Sequence, residues 1–282
     1  MTSWLTIPPK KLVDQEKSFL FETFDSDAWT NFTQFLYAHI YAGAEGRTLQ
    51  VYDRSNNISF RIPLIQNTFS DISGVTYKDT MPSTASNTAK VLPRILSHVM
   101  SLPLETVRQR AKQIFQWSPT LITSIRESIS KVSLPGEMDL GINLRSNRTL
   151  SPNELRAASV DEIVRAAKKF QVASKKSNLN IFVMKDNILK FTELTKKADP
   201  SWALYTLPMP IHPDSQIVRQ TARNAERDRI ASYVYEMAEL FLMQNIPDMI
   251  SSLSTSTGRF LYLTVDHPER IVSLGAPKFS YI

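Results

Sequence analysis

The chain alternates strand and helix signals so closely that a parallel sheet is the economical way to fold it. Residues 17–24, KSFLFETF, form a short apolar and aromatic run that reads as a strand, and the polar DSDAW after it breaks the pattern. From Trp29 the apolar residues Phe32, Phe35, Leu36 and Ile40 recur at helical spacing. They predict a helix to about Ala42, with Gly43 or Gly46 supplying a left-handed stop. Residues 47–52, RTLQVY, read as the next strand. A strand, a helix and a strand in so short a stretch favour parallel neighbours joined by a helical crossover.

The pattern weakens and then returns. Between Asp53 and Lys90 only Ile58, Phe60 and Ile62 alternate as a short strand, and TMPSTASNTA at 80–89 reads as loop. A helix is expected at 103–116 with Leu104, Val107, Ala111, Ile114 and Phe115 inward. Ser118-Pro119 opens another, since proline at the first helical position has no amide proton to leave unpaired. SLPGEMD, 133–139, reads as a linker between halves. Beyond it, 139–146 reads as a strand, Ser159 with Glu162 as a capping box, and 178–186 as the strongest parallel-strand candidate. A helix from Asn187, a strand at 203–207 and a long helix at 220–244 follow. The expectation is an α/β protein of two domains, 1–132 and 133–282, with ligands bound where the strands end.

Composition narrows the chemistry. The absence of cysteine excludes disulfides, thiolate nucleophiles and cysteine-ligated zinc. With seven glycines against sixteen prolines, any phosphate-binding loop must rely little on glycine. Neither the dinucleotide fingerprint nor the Walker lysine loop occurs, because GAEGR follows a helix and not a strand. His39, His98, His212 and His267 have no metal-ligand spacing, so no metal site is expected. His39 reads as structural, while His212 in PMPIHPDS is a candidate substrate contact. A net charge of +6 suits a polyanionic ligand such as a nucleotide and is too scattered for a nucleic-acid track. No segment approaches 18 uninterrupted apolar residues and the start does not read as a signal peptide, so a cytoplasmic chain without a transmembrane segment is expected.

The candidate site residues lie at predicted strand ends. Arg145 ends an apolar strand, where a guanidinium either holds two phosphate oxygens of a departing pyrophosphate or is a surface arginine in a turn. SSLSTSTG at 251–258, just ahead of Arg259, sets hydroxyls and amides at a helix opening. That arrangement serves either an anion cradle or a heavily capped helix start. Asp186 ends the strand NIFVMKD and is placed either to accept a hydrogen bond from a ribose, base or sugar or to cap the next helix. Asp25 and Asp27, in the first strand-to-helix loop, are candidates for a general base toward an acceptor hydroxyl, or caps of the first helix.

At these residues the chain resembles the fucosyltransferase-like group of GT-B glycosyltransferases, which contains protein O-fucosyltransferases, core α1,6-fucosyltransferases and bacterial nodulation fucosyltransferases. The stretch Gly141-Ile142-Asn143-Leu144-Arg145-Ser146-Asn147-Arg148 is similar to that group's strand ending in arginine, with Arg145 at the position that holds the donor β-phosphate. The segment from KSFLFETF to GRTLQV aligns Asn31 and Arg47 with the group's N-terminal motif. Residues 182–186 look like its strand ending in Thr-Asp-Asp, and 252–259 look like its late hydroxyl-rich motif, with Ser254, Thr255, Ser256 and Arg259 toward the nucleotide. The chain departs from the pattern where Ser146 replaces a second arginine and Asn143 replaces a histidine associated with the nucleotide.

The resemblance implies two Rossmann-like domains with parallel sheets facing a central cleft, the first on the acceptor side and the second holding the nucleotide sugar. It implies metal-independent, inverting transfer of a fucose-like deoxyhexose or a pentose from a nucleoside diphosphate sugar to a glycan or glycoprotein hydroxyl, with no cofactor. Arg145 would stabilise the leaving group, and Asp27, ahead of Asp25 and Glu45, would be the base. A compact chain of this kind looks more like a bacterial enzyme, or a large-virus enzyme acting in host cytoplasm, than a Golgi one. GDP-sugar and UDP-sugar donors, UDP-xylose among them, both remain open. So does a non-catalytic relative that binds glycan or protein.

Overall fold

The computed structural model describes residues 18–23, 28–53, 69, 72–78, 88–144, 158–185, 188–208, 225–275 and 279. The chain divides into two compact units, Met1–Ser118 and Pro119–Ile282.

In the first unit, β1 (Ser18–Thr23), α1 (Ala28–Ala44) and β2 (Thr48–Asp53) form the expected β-α-β unit. β3 (Val75–Lys78) joins them in a parallel sheet ordered β1-β2-β3. α1 buries Phe32, Phe35 and Leu36 of the stripe its spacing predicts, while Ile40 is half-buried. It stops at Gly46, whose φ of 66° lets the Arg47 amide reach back to the Ala42 carbonyl at 2.8 Å. α2 (Thr88–Ser101) and α3 (Leu104–Ile114) pack on α1.

β3 and α2 depart from the sequence expectations. β3 has only four residues, too few for alternation to stand out. α2 begins inside the stretch read as loop and carries Pro93 in its second turn. A proline there removes one backbone hydrogen bond, yet the helix continues because Ile95 and Val99 bury an apolar stripe beyond it. The strand expected around Ile58, Phe60 and Ile62 lies outside the described residues.

The second unit opens with α4 (Pro119–Ser130), which starts at the Ser118-Pro119 signal and packs on α7. The sequence reading placed this helix ahead of the linker at 133–139. The core alternation then runs β4 (Leu140–Leu144), α5 (Val160–Ser174), β5 (Leu179–Lys185), α6 (Ile188–Lys197) and β6 (Trp202–Tyr205). α7 (Ala225–Gln244), β7 (Met249–Ser251), α8 (Ser256–Thr264), a 3-10 turn at Pro268–Arg270 and β8 (Ile271–Ser273) complete it. The Ser159 capping box forms as expected, with its hydroxyl accepting from Glu162 N–H and the Glu162 carboxylate accepting from Ser159 N–H at 2.8 Å.

All five strands are parallel, in the order β6-β5-β4-β7-β8. The chain builds outward from β4 in one direction, returns, and builds outward in the other. β4 is buried along its whole length, as a central parallel strand covered on both faces must be. Its Leu140, Ile142 and Leu144 join Val160, Ile163, Ile181, Val183 and Ile250 in one core cluster. Gly141 and Asn143 therefore point to the opposite face.

Candidate functional site

The strand order reverses between β4 and β7, and open parallel sheets bind ligands outside the carboxyl ends of the strands at such a reversal. Asn143 and Ser251 meet there. The register pairs Gly141 with Met249 and Ile142 with Ile250, which carries Asn143 to the level of Ser251. The Asn143 Nδ2 donates to Ser251 Oγ at 3.0 Å, and both residues are buried. The Asn143 Oδ1 has no hydrogen-bond partner among the described residues.

The turn from β7 into α8 is built by its own hydroxyls. Thr255 is the N-cap: its Oγ1 accepts from Gly258 N–H at 3.1 Å and donates to Ser252 carbonyl at 2.8 Å. Ser252 Oγ and Ser254 Oγ lie 2.7 Å apart. Gly258 sits so close beneath this turn that a Cβ on it would stand 2.0 Å from the Ser252 carbonyl oxygen and 2.9 Å from Ser251 Oγ. Ser251 thus touches Asn143 on one side and the opening of α8 on the other.

Two groups at this opening are left without the partners a fold normally supplies. Thr257 is wholly buried, and its Oγ1 makes no hydrogen bond among the described residues. Arg259 is 6% exposed, and its Nη1 donates to the Ser254 carbonyl at a long 3.4 Å. No carboxylate among the described residues pairs with it. An unmade hydrogen bond at a buried polar atom costs about 1–3 kcal/mol, and a buried guanidinium requires an anion or a full set of acceptors. Guanidinium, hydroxyls and the amino end of a helix together make a seat for an oxyanion.

Sequence reading missed Lys185, the last residue of β5. Its Nζ donates to Thr206 Oγ1 and to the Leu207 carbonyl at 3.1 Å, and stands 5.0 Å from the Phe191 ring centre. It therefore ties the end of β5 to the chain leaving β6. Burial pushes its pKa down, and the field of the fully buried Glu239 opposes that shift. The available signal was a charge at the end of an otherwise apolar strand. Thr257 and Ser251 lay inside the hydroxyl-rich run but nothing in the sequence marked them from their neighbours.

Of the expected site residues, the structure brings Asn143, Ser254, Thr255, Ser256 and Arg259 together around the start of α8. Asn31 lies in the first turn of α1, with its side chain outside the described set. Arg145, Asp186, Asp25, Asp27 and His212 lie outside the described residues. Glu45 follows the last turn of α1 and precedes β2, at the amino edge of the sheet. Arg47 enters β2 at that same amino edge. His39, read as structural, is buried.

Comparison of the whole architecture with solved structures decides the fold. The fucosyltransferase NodZ from Bradyrhizobium superposes with a TM-score of 0.58 over 92% of this chain and 96% of its own, at 13% identity. The fold is that of the GT-B fucosyltransferases. NodZ α-1,6-fucosyltransferase soaked with GDP-fucose gives a TM-score of 0.55 over 92% and 95% of the two chains, at 13% identity. POFUT1 in complex with GDP-fucose gives 0.56 over 94% and 99%, at 12% identity. No family model matches the chain, and neither does the sequence of any curated protein. The GT-B likeness is therefore one of backbone path, carried by the alternation of elements and by very few shared residues.

Proposed function

We propose that the chain is a glycosyltransferase that holds a nucleoside diphosphate sugar at the β4–β7 reversal of its second unit and passes the sugar to a glycan or glycoprotein hydroxyl. The observation that carries this reading is a set of buried groups at the opening of α8: Asn143 Oδ1 and Thr257 Oγ1, which have no hydrogen-bond partner among the described residues, and the Arg259 guanidinium, which makes only a long bond to the Ser254 carbonyl and meets no carboxylate among them. The fold it shares with NodZ and POFUT1, each described in complex with or soaked with GDP-fucose, supports it.

In this mechanism the diphosphate lies across the start of α8. Charge grows on it as the bond to the sugar breaks, so groups that hold the departing oxygens more tightly than the intact donor accelerate transfer. Arg259 and the amides of α8 would hold one phosphate, and Arg145, the residue that follows β4 in sequence, would hold the other. Asp27, with Asp25 as the alternative, removes the proton from the acceptor hydroxyl as that oxygen attacks the anomeric carbon from the face opposite the leaving group. The first unit would take the acceptor. The transferred sugar is a fucose-like deoxyhexose or a pentose, and Asn143 in place of a histidine keeps UDP-sugars beside GDP-sugars as donors.

Calorimetry with GDP and UDP, followed by transfer assays with the matching nucleotide sugars, tests the reading. Arg145→Ala should lower turnover on the order of 10²-fold or more, and Arg145→Lys, which keeps charge but not the planar fork, should still lower it severalfold. A folded Arg145→Ala protein with parental turnover, or a parent that binds no nucleoside diphosphate, would overturn it.

A further inference from the structure

Among the described residues, one guanidinium of the first unit is partly buried and held by side chains that carry no negative charge. Arg110 on α3 is half-buried. Its Nη1 donates to Gln113 Oε1 at 3.0 Å, and its Nη2 lies 3.4 Å from His39 Nδ1. Both partners are neutral. Several other cations among the described residues do have carboxylates: Arg108 pairs with Glu105 at 2.7 Å, Arg270 with Asp248, Lys176 with Asp139, and Lys197 with Glu193 and Asp161.

His39 explains how Arg110 is held. The imidazole is 4% exposed, and its Nε2 lies 3.0 Å from the Ser73 carbonyl. A carbonyl only accepts, so Nε2 carries the proton and Nδ1 presents a lone pair to Arg110. The guanidinium is thus oriented by two neutral acceptors that use two of its five N–H groups, leaving Nε–H and one N–H on each Nη. Burial pushes the Arg110 pKa down, and no carboxylate opposes it. The site lies where Ser73 and Gly74 lead into β3, and the Gly74 carbonyl accepts from Leu49 at the start of β2. This is the amino edge of the sheet, where the exposed Arg47 adds a second positive charge and the exposed Glu45 a negative one.

We propose that Arg110, oriented by His39 and Gln113, is the base of a second oxyanion site in the first unit, one that takes a carboxylate or sulfate group. Its three remaining N–H groups form the planar fork that binds two oxygens of one anion side by side. The site is independent of the donor reading, because it is built wholly from the first unit and from the opposite edge of a different sheet.

The test uses the full chain with 15N-labelled histidine, titrated with sodium sulfate at constant ionic strength against sodium chloride. The His39 ring nitrogens should shift and saturate with sulfate. Arg110→Gln should weaken that response about tenfold or more, while Arg259→Gln should leave it unchanged. A glucuronate-bearing disaccharide is the second probe. A tighter response to it than to sulfate assigns the anion to an acidic glycan, and an equal response assigns it to a free ion. A parent protein whose His39 signals ignore both probes, or an Arg110→Gln protein with the parental titration, overturns the site. If Arg110→Gln does not fold, the parent titration decides alone.

Discussion

Asn143 and Ser251, 108 residues apart, share a buried hydrogen bond of 3.0 Å that joins the ends of β4 and β7. The bond uses the amide nitrogen of Asn143 and leaves its carbonyl oxygen without a hydrogen-bond partner among the described residues. The strand order reverses between these two strands, so this contact ties them together at the place where the donor site is proposed.

Asn143→Asp puts a carboxylate where the donating amide was, next to the proposed diphosphate. Like charge at that distance should raise the dissociation constant for a nucleoside diphosphate on the order of 10²-fold, equivalent to roughly 2.7 kcal/mol. Isothermal calorimetry on the parent and variant measures it. Equal affinities would remove Asn143 from the site.

Thr257→Val keeps the side-chain shape and deletes a hydroxyl that makes no hydrogen bond among the described residues. Removing an unsatisfied buried donor should leave stability unchanged or raise it by up to about 1 kcal/mol, while donor affinity drops about tenfold. The opposite pattern, lost stability with full affinity, would show that the hydroxyl serves the fold.

Gly258→Ala forces a methyl to within 2.0 Å of the Ser252 backbone oxygen. Backbone cannot swing aside as a side chain can, so the variant should lose roughly 3 kcal/mol in urea unfolding. Gly141→Ala meets chiefly the flexible Met243 thioether, at 2.9 Å, and should cost about half as much. Similar losses for the two would mean that the turn before α8 yields easily.

His39 links stability to pH. Burial lowers its pKa to about 4 from 6.5, with the nearby Arg110 charge acting in the same direction and the Ser73 hydrogen bond against it. Between those values the unfolded chain binds the proton and the folded one does not. The stabilisation is therefore complete above about pH 6.5 and is lost as pH falls toward 4, by about 3 kcal/mol in total. His39→Gln should flatten that part of the stability profile in denaturant titrations from pH 7.5 to 4. Parallel profiles for parent and variant would refute the assignment.

Much of the architecture was written in local chemistry. The spacing of Phe32, Phe35 and Leu36 declared a helix between strands, the Ser159–Glu162 box declared a helix start, and Gly43 or Gly46 declared a stop, which falls at Gly46. Each of these signals lies within one element, where periodicity and capping depend only on neighbours along the chain. The hydroxyl-rich run at 251–258 was likewise recognisable as the opening of a helix before any packing was known.

Short strands and side-chain partners had no such local signature. β3, β7 and β8 are too brief to show alternation and exist because adjacent strands supply their hydrogen bonds. α2 survives Pro93 because Ile95 and Val99 find a core to bury in. Sequence set Glu45 beside the acidic candidates, and only the direction of α1 showed that it sits at the amino edge of the sheet. Nothing in SSLSTSTG tells which hydroxyl caps the helix and which is left over. Thr255 became the cap and Thr257 the unpaired one when Gly258 brought α8 against the end of β7. Whether a buried polar group is satisfied depends on atoms distant in sequence, so the elements could be read from the chain, while the vacant hydrogen-bonding positions were decided by the tertiary structure.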